Sequence, residues 1–273
     1  MEDEHLIKEG GRFAAVFDGH GGSDVSRYLR QHFYSKLQEQ RKRIHSEGEC
    51  TPSFTSLSSH ATSIRQAFEQ VEHEVCAMDY MCHQGSTAVV VSMHEEQDGR
   101  RTLLSANVGD SRAVLCRSGV AVDLTRDHKP NCDSERARLE AMGETVEFDI
   151  HGQCWRVRNL SISRAIGDRL SKPAVTGEVE IQQFQVVDDD EFVILASDGL
   201  WDVLTSQDAV SFVRNRLNAA PSDLESNELD RIAHTRRTTM SKELVHEALK
   251  LSRKYGPAAD NICVVIVWLQ KGE

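Results

Sequence analysis

Carboxylates stand where a strand gives way to a turn at three places: Phe17-Asp18-Gly19-His20-Gly21-Gly22, Ala196-Ser197-Asp198-Gly199-Leu200-Trp201-Asp202, and Asp260-Asn261. Asp110 falls on a Gly-Asp turn and Glu2 lies near the start. Carboxylates brought together without counter-ions repel and raise one another's pKa, a conflict that divalent cations remove. An oxygen-only donor set with no thiolate beside it selects magnesium or manganese over zinc. Two such ions bridged by one Asp would hold a water and lower its pKa, placing a nucleophile for in-line attack on phosphorus. His20 is the nearest proton donor for a leaving alkoxide, a role worth on the order of 10²–10⁴ in rate. Arg164, in Ser161-Ile162-Ser163-Arg164-Ala165-Ile166-Gly167-Asp168, is the candidate cation for a phosphoryl transition state, with a structural ion pair as its alternative. Asp-Gly dipeptides also serve simply to turn a chain at a strand end, so the fold has to decide between the two uses.

The elements that must position these residues are apolar and β-rich. Phe13 to Phe17 reads as an interior strand that delivers Asp18 and His20 to its end. Glu191 to Ala196 does the same for Asp198, and Ile262 to Trp268 follows Asp260. In that last case the carboxylate precedes its strand, so an antiparallel neighbour brings it to the same sheet edge. Ser23 caps a helix with Val25, Leu29, Phe33 and Leu37 on one face, and a second helix carries Ile64, Phe68, Val71, Val75 and Met78. From Ser86 to Thr125, short β-rich runs separated by Asp98-Gly99, Gly109-Asp110 and Ser118-Gly119 read as an antiparallel meander. A short helix ends at Gly143, Thr205 and Asp208 cap another, and the last helix is expected over roughly 241–255, stopped by Gly256-Pro257. The polar stretches near 39–59 and 218–239 read as surface inserts.

With 273 residues, 39% of them apolar, and no linker, the chain is expected to form one domain spanning 1–273. A net charge of -11 argues against nucleic acid as a partner and, with no basic aromatic groove, against a metal-dependent nuclease. Seven cysteines, odd in number and without a Cys-x-x-Cys pair, suggest reduced thiols rather than a disulfide frame or zinc site. No signal peptide or membrane-length apolar run is apparent, so the expectation is an intracellular protein of the cytoplasm or nucleus, monomeric and without a membrane partner.

In order along the chain, Met1-Glu2-Asp3, Phe17-Asp18-Gly19-His20-Gly21-Gly22, Gly85-Ser86-Thr87-Ala88, Asn107-Val108-Gly109-Asp110-Ser111-Arg112, Asp127-His128-Lys129-Pro130, Ser163-Arg164-Ala165-Ile166-Gly167-Asp168, Ala196-Ser197-Asp198-Gly199-Leu200-Trp201-Asp202 and Asp260-Asn261 together resemble the metal-dependent serine/threonine protein phosphatases of type 2C. The resemblance implies an α+β fold, a central antiparallel β-sandwich flanked by helices on both sides in four αββα layers, with a dinuclear Mg2+ or Mn2+ site at one end. It implies phosphorylated protein substrates hydrolysed at phosphoserine and phosphothreonine. By the same likeness Asp18 bridges two ions, Glu2 and the Gly19 carbonyl serve one, and Asp198 and Asp260 serve the other. Asp110 and Asp202 look like ligands of a weaker third ion beside Asp198, and His20 is similar to the family's general acid.

The family carries a strand pair ahead of its Met-Glu-Asp stretch, ending in an arginine that grips the substrate phosphate. This sequence starts at Met1, so an amino-terminally incomplete domain is the expectation. That absence motivates the alternative of a phosphatase-like binding or scaffold protein with little turnover. The segment Arg169 to Glu178, short for the family's substrate-proximal flap, holds Lys172 as a candidate peptide contact, with an ordinary surface lysine as its other reading.

Overall fold

The computed structural model describes residues 1–47, 57–96, 98–218, 226–255 and 260–269. The chain runs β1 (Glu4–Lys8), β2 (Phe13–Phe17), β3 (Gly19–His20), α1 (Asp24–Glu47), α2 (Leu57–Cys76), β4 (Gly85–Ser86), β5 (Ala88–Glu95), β6 (Arg101–Val108), β7 (Arg112–Arg117), β8 (Val120–Asp123), α3 (Asp133–Ala141), β9 (Glu147–Asp149), β10 (Cys154–Arg156), β11 (Ile166–Gly167), β12 (Glu180–Gln185), β13 (Asp190–Ala196), α4 (Asp198–Trp201), α5 (Ser206–Asn218), α6 (Ser226–Tyr255) and β14 (Val264–Trp268). One antiparallel sheet has the order β1-β2-β5-β6-β12 and the other β14-β13-β7-β8.

Alternation along the strands builds the layers. On β2, Phe13, Ala15 and Phe17 pack with Val25, Leu29 and Phe33 of α1 and with Phe68 of α2, whereas Ala14 and Val16 turn to the second sheet. On β13, Val193 and Leu195 meet them there, while Phe192 and Ile194 pack outward on Val210 and Val213 of α5 and Leu244 of α6. Each central strand is therefore covered on both faces, which is why its sequence reads as an unbroken apolar run. Fully burying one such side chain is worth roughly 1.5–3 kcal/mol. The result is the expected α+β architecture, two packed sheets with helices on both outer faces. No helix among the described residues is long and apolar enough to cross a membrane. Cys76, Cys82, Cys116, Cys132, Cys154 and Cys263 are free thiols, and Cys50 lies outside the described residues.

The structure corrects three local expectations. The meander is two hairpins in different sheets: β5 pairs with β6 in the first and β7 with β8 in the second, and the chain crosses between them at Gly109-Asp110. Gly109 has φ +103 and a Cβ there would press on Thr87, so this crossing needs glycine. The stretch read as a loop from 39 is helical through Glu47, since Glu, Gln, Arg and Lys are good helix formers and Arg41 pairs with Glu9. The final helix begins at Ser226 rather than near 241, absorbing most of the second polar stretch. Residues 48–56 and 219–225 of the two stretches lie outside the described residues.

Candidate metal centre and active site

The carboxylates reach one place because the strand ends do. β2 of the first sheet ends just before Asp18, β13 of the second ends before Asp198, and antiparallel β14 starts after Asp260. Glu2 is brought in by its backbone N–H, which donates to Asn261 Oδ1 at 3.0 Å. Glu2, Asp18, Gly19, Asp110, Asp198 and Asp260 line a single cavity of about 380 Å³, together with His20. Thr87 braces two of them: its Oγ1 accepts the Asp18 N–H at 3.2 Å and lies 2.6 Å from Ser111 Oγ, beside Asp110.

These acids are electrostatically unsatisfied. Burial, together with the charges of Asp198, Asp3 and Asp110, pushes the Asp18 carboxyl up to about 11. Burial and the neighbouring acids Asp110, Asp202 and Asp260 push Asp198 up to about 7. At Asp110 burial again dominates and the pKa reaches about 6, although Lys129 draws it down. Asp198 Oδ1 and Asp3 Oδ1 are buried without a hydrogen-bond partner, a costly state for a carboxylate oxygen. An oxygen-only set with orphaned buried oxygens fits a hard divalent ion.

A small antiparallel sheet, β11-β4-β3, fixes His20. His20 and Gly167 both pair with Gly85 from opposite sides, and Asp168 follows Gly167. His20 Nε2 and Asp168 Oδ2 meet at 2.7 Å across Gly85, where an added Cβ would lie 2.1 Å from Asp168 Oδ2 and 2.5 Å from His20 Nε2. Burial alone would lower the His20 pKa, but the Asp168 hydrogen bond and charge outweigh it and hold the imidazole above its ordinary value.

Other sequence candidates stand apart from the cavity. Asp202 closes α4 with its side chain 57% exposed, its N–H donating to the Asp198 carbonyl at 2.8 Å and its carboxylate 3.9 Å from Lys129 Nζ. Arg164 donates twice to Glu135 Oε1, at 3.0 and 2.6 Å, and Lys172 pairs with Glu72 at 2.6 Å. Both side chains anchor the loop that carries Asp168. Arg156 lines the cavity and was not singled out from the sequence. It is oriented by Asp149, which accepts its Nε–H at 2.8 Å, and by the Asn159 carbonyl at 2.8 Å. The available signal was alternation on β10: Trp155 stacks edge-on against Phe148, so Arg156 takes the opposite face.

The family model for protein phosphatase 2C matches residues 1–254. A probable protein phosphatase 2C 71 of Arabidopsis thaliana is 37% identical over 259 residues, covering 93% of this chain and 48% of that protein. A probable protein phosphatase 2C 69 of the same plant is 36% identical, covering 94% of this chain and 61% of its own length. The chain thus spans about half to three fifths of the length of these relatives. Among solved structures, a C. elegans sex determining protein superposes with a TM-score of 0.78 at 28% identity, covering 98% of this chain and 61% of that one. A serine-threonine phosphatase 2C from Toxoplasma gondii superposes with a TM-score of 0.76 at 20% identity, covering 98% and 94%, a likeness of fold.

Proposed function

The chain belongs to the protein phosphatase 2C family, and from that premise we propose that it hydrolyses phosphoserine and phosphothreonine in proteins with two magnesium or manganese ions bound. One observation carries the reading: strands of both sheets end in acids on a single cavity, with a buried Asp198 oxygen left unpaired. Asp18 would be shared by the two ions, with Glu2 and the Gly19 carbonyl on one side and Asp198 and Asp260 on the other. Asp110 and Asp202 would serve a weaker third. When bound, such ions neutralise phosphate charge and lower the pKa of water.

The chain's own residues do the remaining work. His20, held at Nε2 by Asp168, keeps a proton at Nδ1 for the serine or threonine oxygen that leaves as its bond to phosphorus breaks and the bond from water forms. Arg156, fixed by Asp149, presents a guanidinium whose donor fork matches phosphate oxygens. It takes the part that the sequence suggested for Arg164. Leu160 and Ile162 on the same wall make that side of the cavity apolar, where electrostatic contacts are stronger than in water.

The test is manganese-dependent phosphate release from a phosphothreonine peptide, with EDTA as control. Turnover that disappears in EDTA and in Asp198→Asn supports the reading. Full metal-dependent turnover by Asp198→Asn would sink it.

A further inference from the structure

Asp110 is almost fully buried, 3% exposed, on the crossing between the sheets, and Asp202 stands at the end of α4. Among the described residues, the cation that meets both is Lys129, whose Nζ lies 3.6 Å from Asp110 Oδ2 and 3.9 Å from Asp202 Oδ1. Its neighbour sets its place. The His128 N–H donates to the Gly109 carbonyl at 3.0 Å, and the Gly109 N–H donates to His128 Nδ1 at 3.2 Å. These two bonds tie the segment carrying Lys129 to the turn carrying Asp110, so ammonium and carboxylate keep their register. Arg112, the other cation nearby, is committed to Asp127 through bonds of 2.9 and 2.7 Å.

The Lys129 contacts are longer than closed hydrogen bonds. They describe a charge suspended over two acids. We propose that the Lys129 ammonium is a tethered counter-ion for Asp110 and Asp202, one that a third divalent ion must displace or tolerate, so that this site is weak by construction. The proposal rests on the metal-site reading above and adds the cause of the third ion's weakness. A divalent ion entering between two acids meets their full negative charge only if no cation is already there. With Lys129 in place, part of that attraction is offset and a like-charge repulsion is added. The same residue lets Asp110 stay buried when no ion is bound.

Manganese titration of the metal-free protein by calorimetry, paired with thermal unfolding in EDTA, separates these effects. In Lys129→Met the weakest binding step tightens on the order of tenfold, and the unfolding midpoint in EDTA falls because Asp110 has lost its counter-ion. Lys129→Arg, which keeps the charge, behaves as the parent on both counts. A weakest step that is unchanged or weaker in Lys129→Met, with the two tighter steps intact, overturns the role of Lys129 alone. Failure of the parent chain to bind manganese at all overturns the metal-site reading and this proposal with it. Lys129→Gln, measured alone and in an Asp202→Asn background, gives a second check that does not depend on Lys129→Met: with one acid gone, removal of the ammonium lowers the EDTA midpoint less than it does alone, and an undiminished fall contradicts the proposal.

Discussion

At the cavity, burial and the charges of Asp198, Asp3 and Asp110 push Asp18 up to about 11. On α3, burial pushes Glu135 in the same direction, yet Arg164, Ser163 and Arg138 outweigh it and bring the carboxyl down to about 2. Glu135 is 2% exposed and its two oxygens accept from Arg164, Arg138 and Ser163 at 2.6 to 3.0 Å. Each oxygen of Glu135 thus has a partner within the chain. At the cavity Lys129 offsets only part of the acid charge, and Asp198 Oδ1 stays unpaired. A buried acid with its cations supplied by the fold holds loops together, whereas one without them is poised for something that comes from solution.

The contrast is broken most directly by Asp18→Asn. Phosphothreonine-peptide turnover is expected to fall by roughly 10³-fold or more with the loss of a bridging acid, while the urea midpoint in EDTA rises because the fold no longer has to hold a buried carboxyl far above its ordinary pKa. The matching change at the hub, Glu135→Gln, should cost about 3 kcal/mol in urea denaturation, since it strands Arg164 in a site where its side chain is 14% exposed. Opposite signs of stability change for two acid-to-amide substitutions are the sharpest form of the comparison. Equal signs would dissolve it.

Acid titration sharpens the hub further. The folded pKa of Glu135 is depressed, so its contribution is complete above the unfolded value of about 4.3 and is lost as the pH falls toward about 2. The unfolding midpoint should therefore decline between these limits, and Glu135→Gln should flatten that decline. Arg156→Ala is expected to lower kcat/KM by about tenfold to a hundredfold through loss of a charged hydrogen-bond donor, while the EDTA midpoint moves little because the Arg156 to Asp149 pair is a third exposed. At the small end, Arg158→Ala removes a surface pair with Glu144 and should leave both activity and the midpoint unchanged.

The motifs around Asp18, Asp198 and Asp260 were legible because each sits at the end of an apolar strand, and strand ends converge wherever sheets stack. Less visible was which strands share a sheet: alternation on β5 through β8 is the same whether the hairpins are joined or stacked, and the glycine of the crossing, Gly109, has positive φ just as Gly99 and Gly119 of the hairpin turns do. Edge strands were missed for a related reason. β1 buries little, with Ile7 49% exposed, and β12 has Ile181 and Phe184 on opposite faces with two glutamines between them, so neither carries an apolar run. Arginine and lysine roles were the hardest to read. Arg164 and Lys172 are captured by Glu135 and Glu72, acids distant in sequence, and Arg156 owes its aim to a hairpin partner, so alternation on β10 gives the face Arg156 takes but not what that face meets.

The bond from the Glu2 N–H to Asn261 Oδ1 joins positions 259 residues apart. A chain emerging from the ribosome amino terminus first carries Glu2 and Asp18 long before Asp198 and Asp260 exist as folded neighbours. Closure of so long a loop comes late, after local hairpins and helices have formed. The acids carried by β2 and those flanking β13 and β14 therefore stay apart until β14 docks, so the complete acid-lined cavity is among the last features of this fold to assemble.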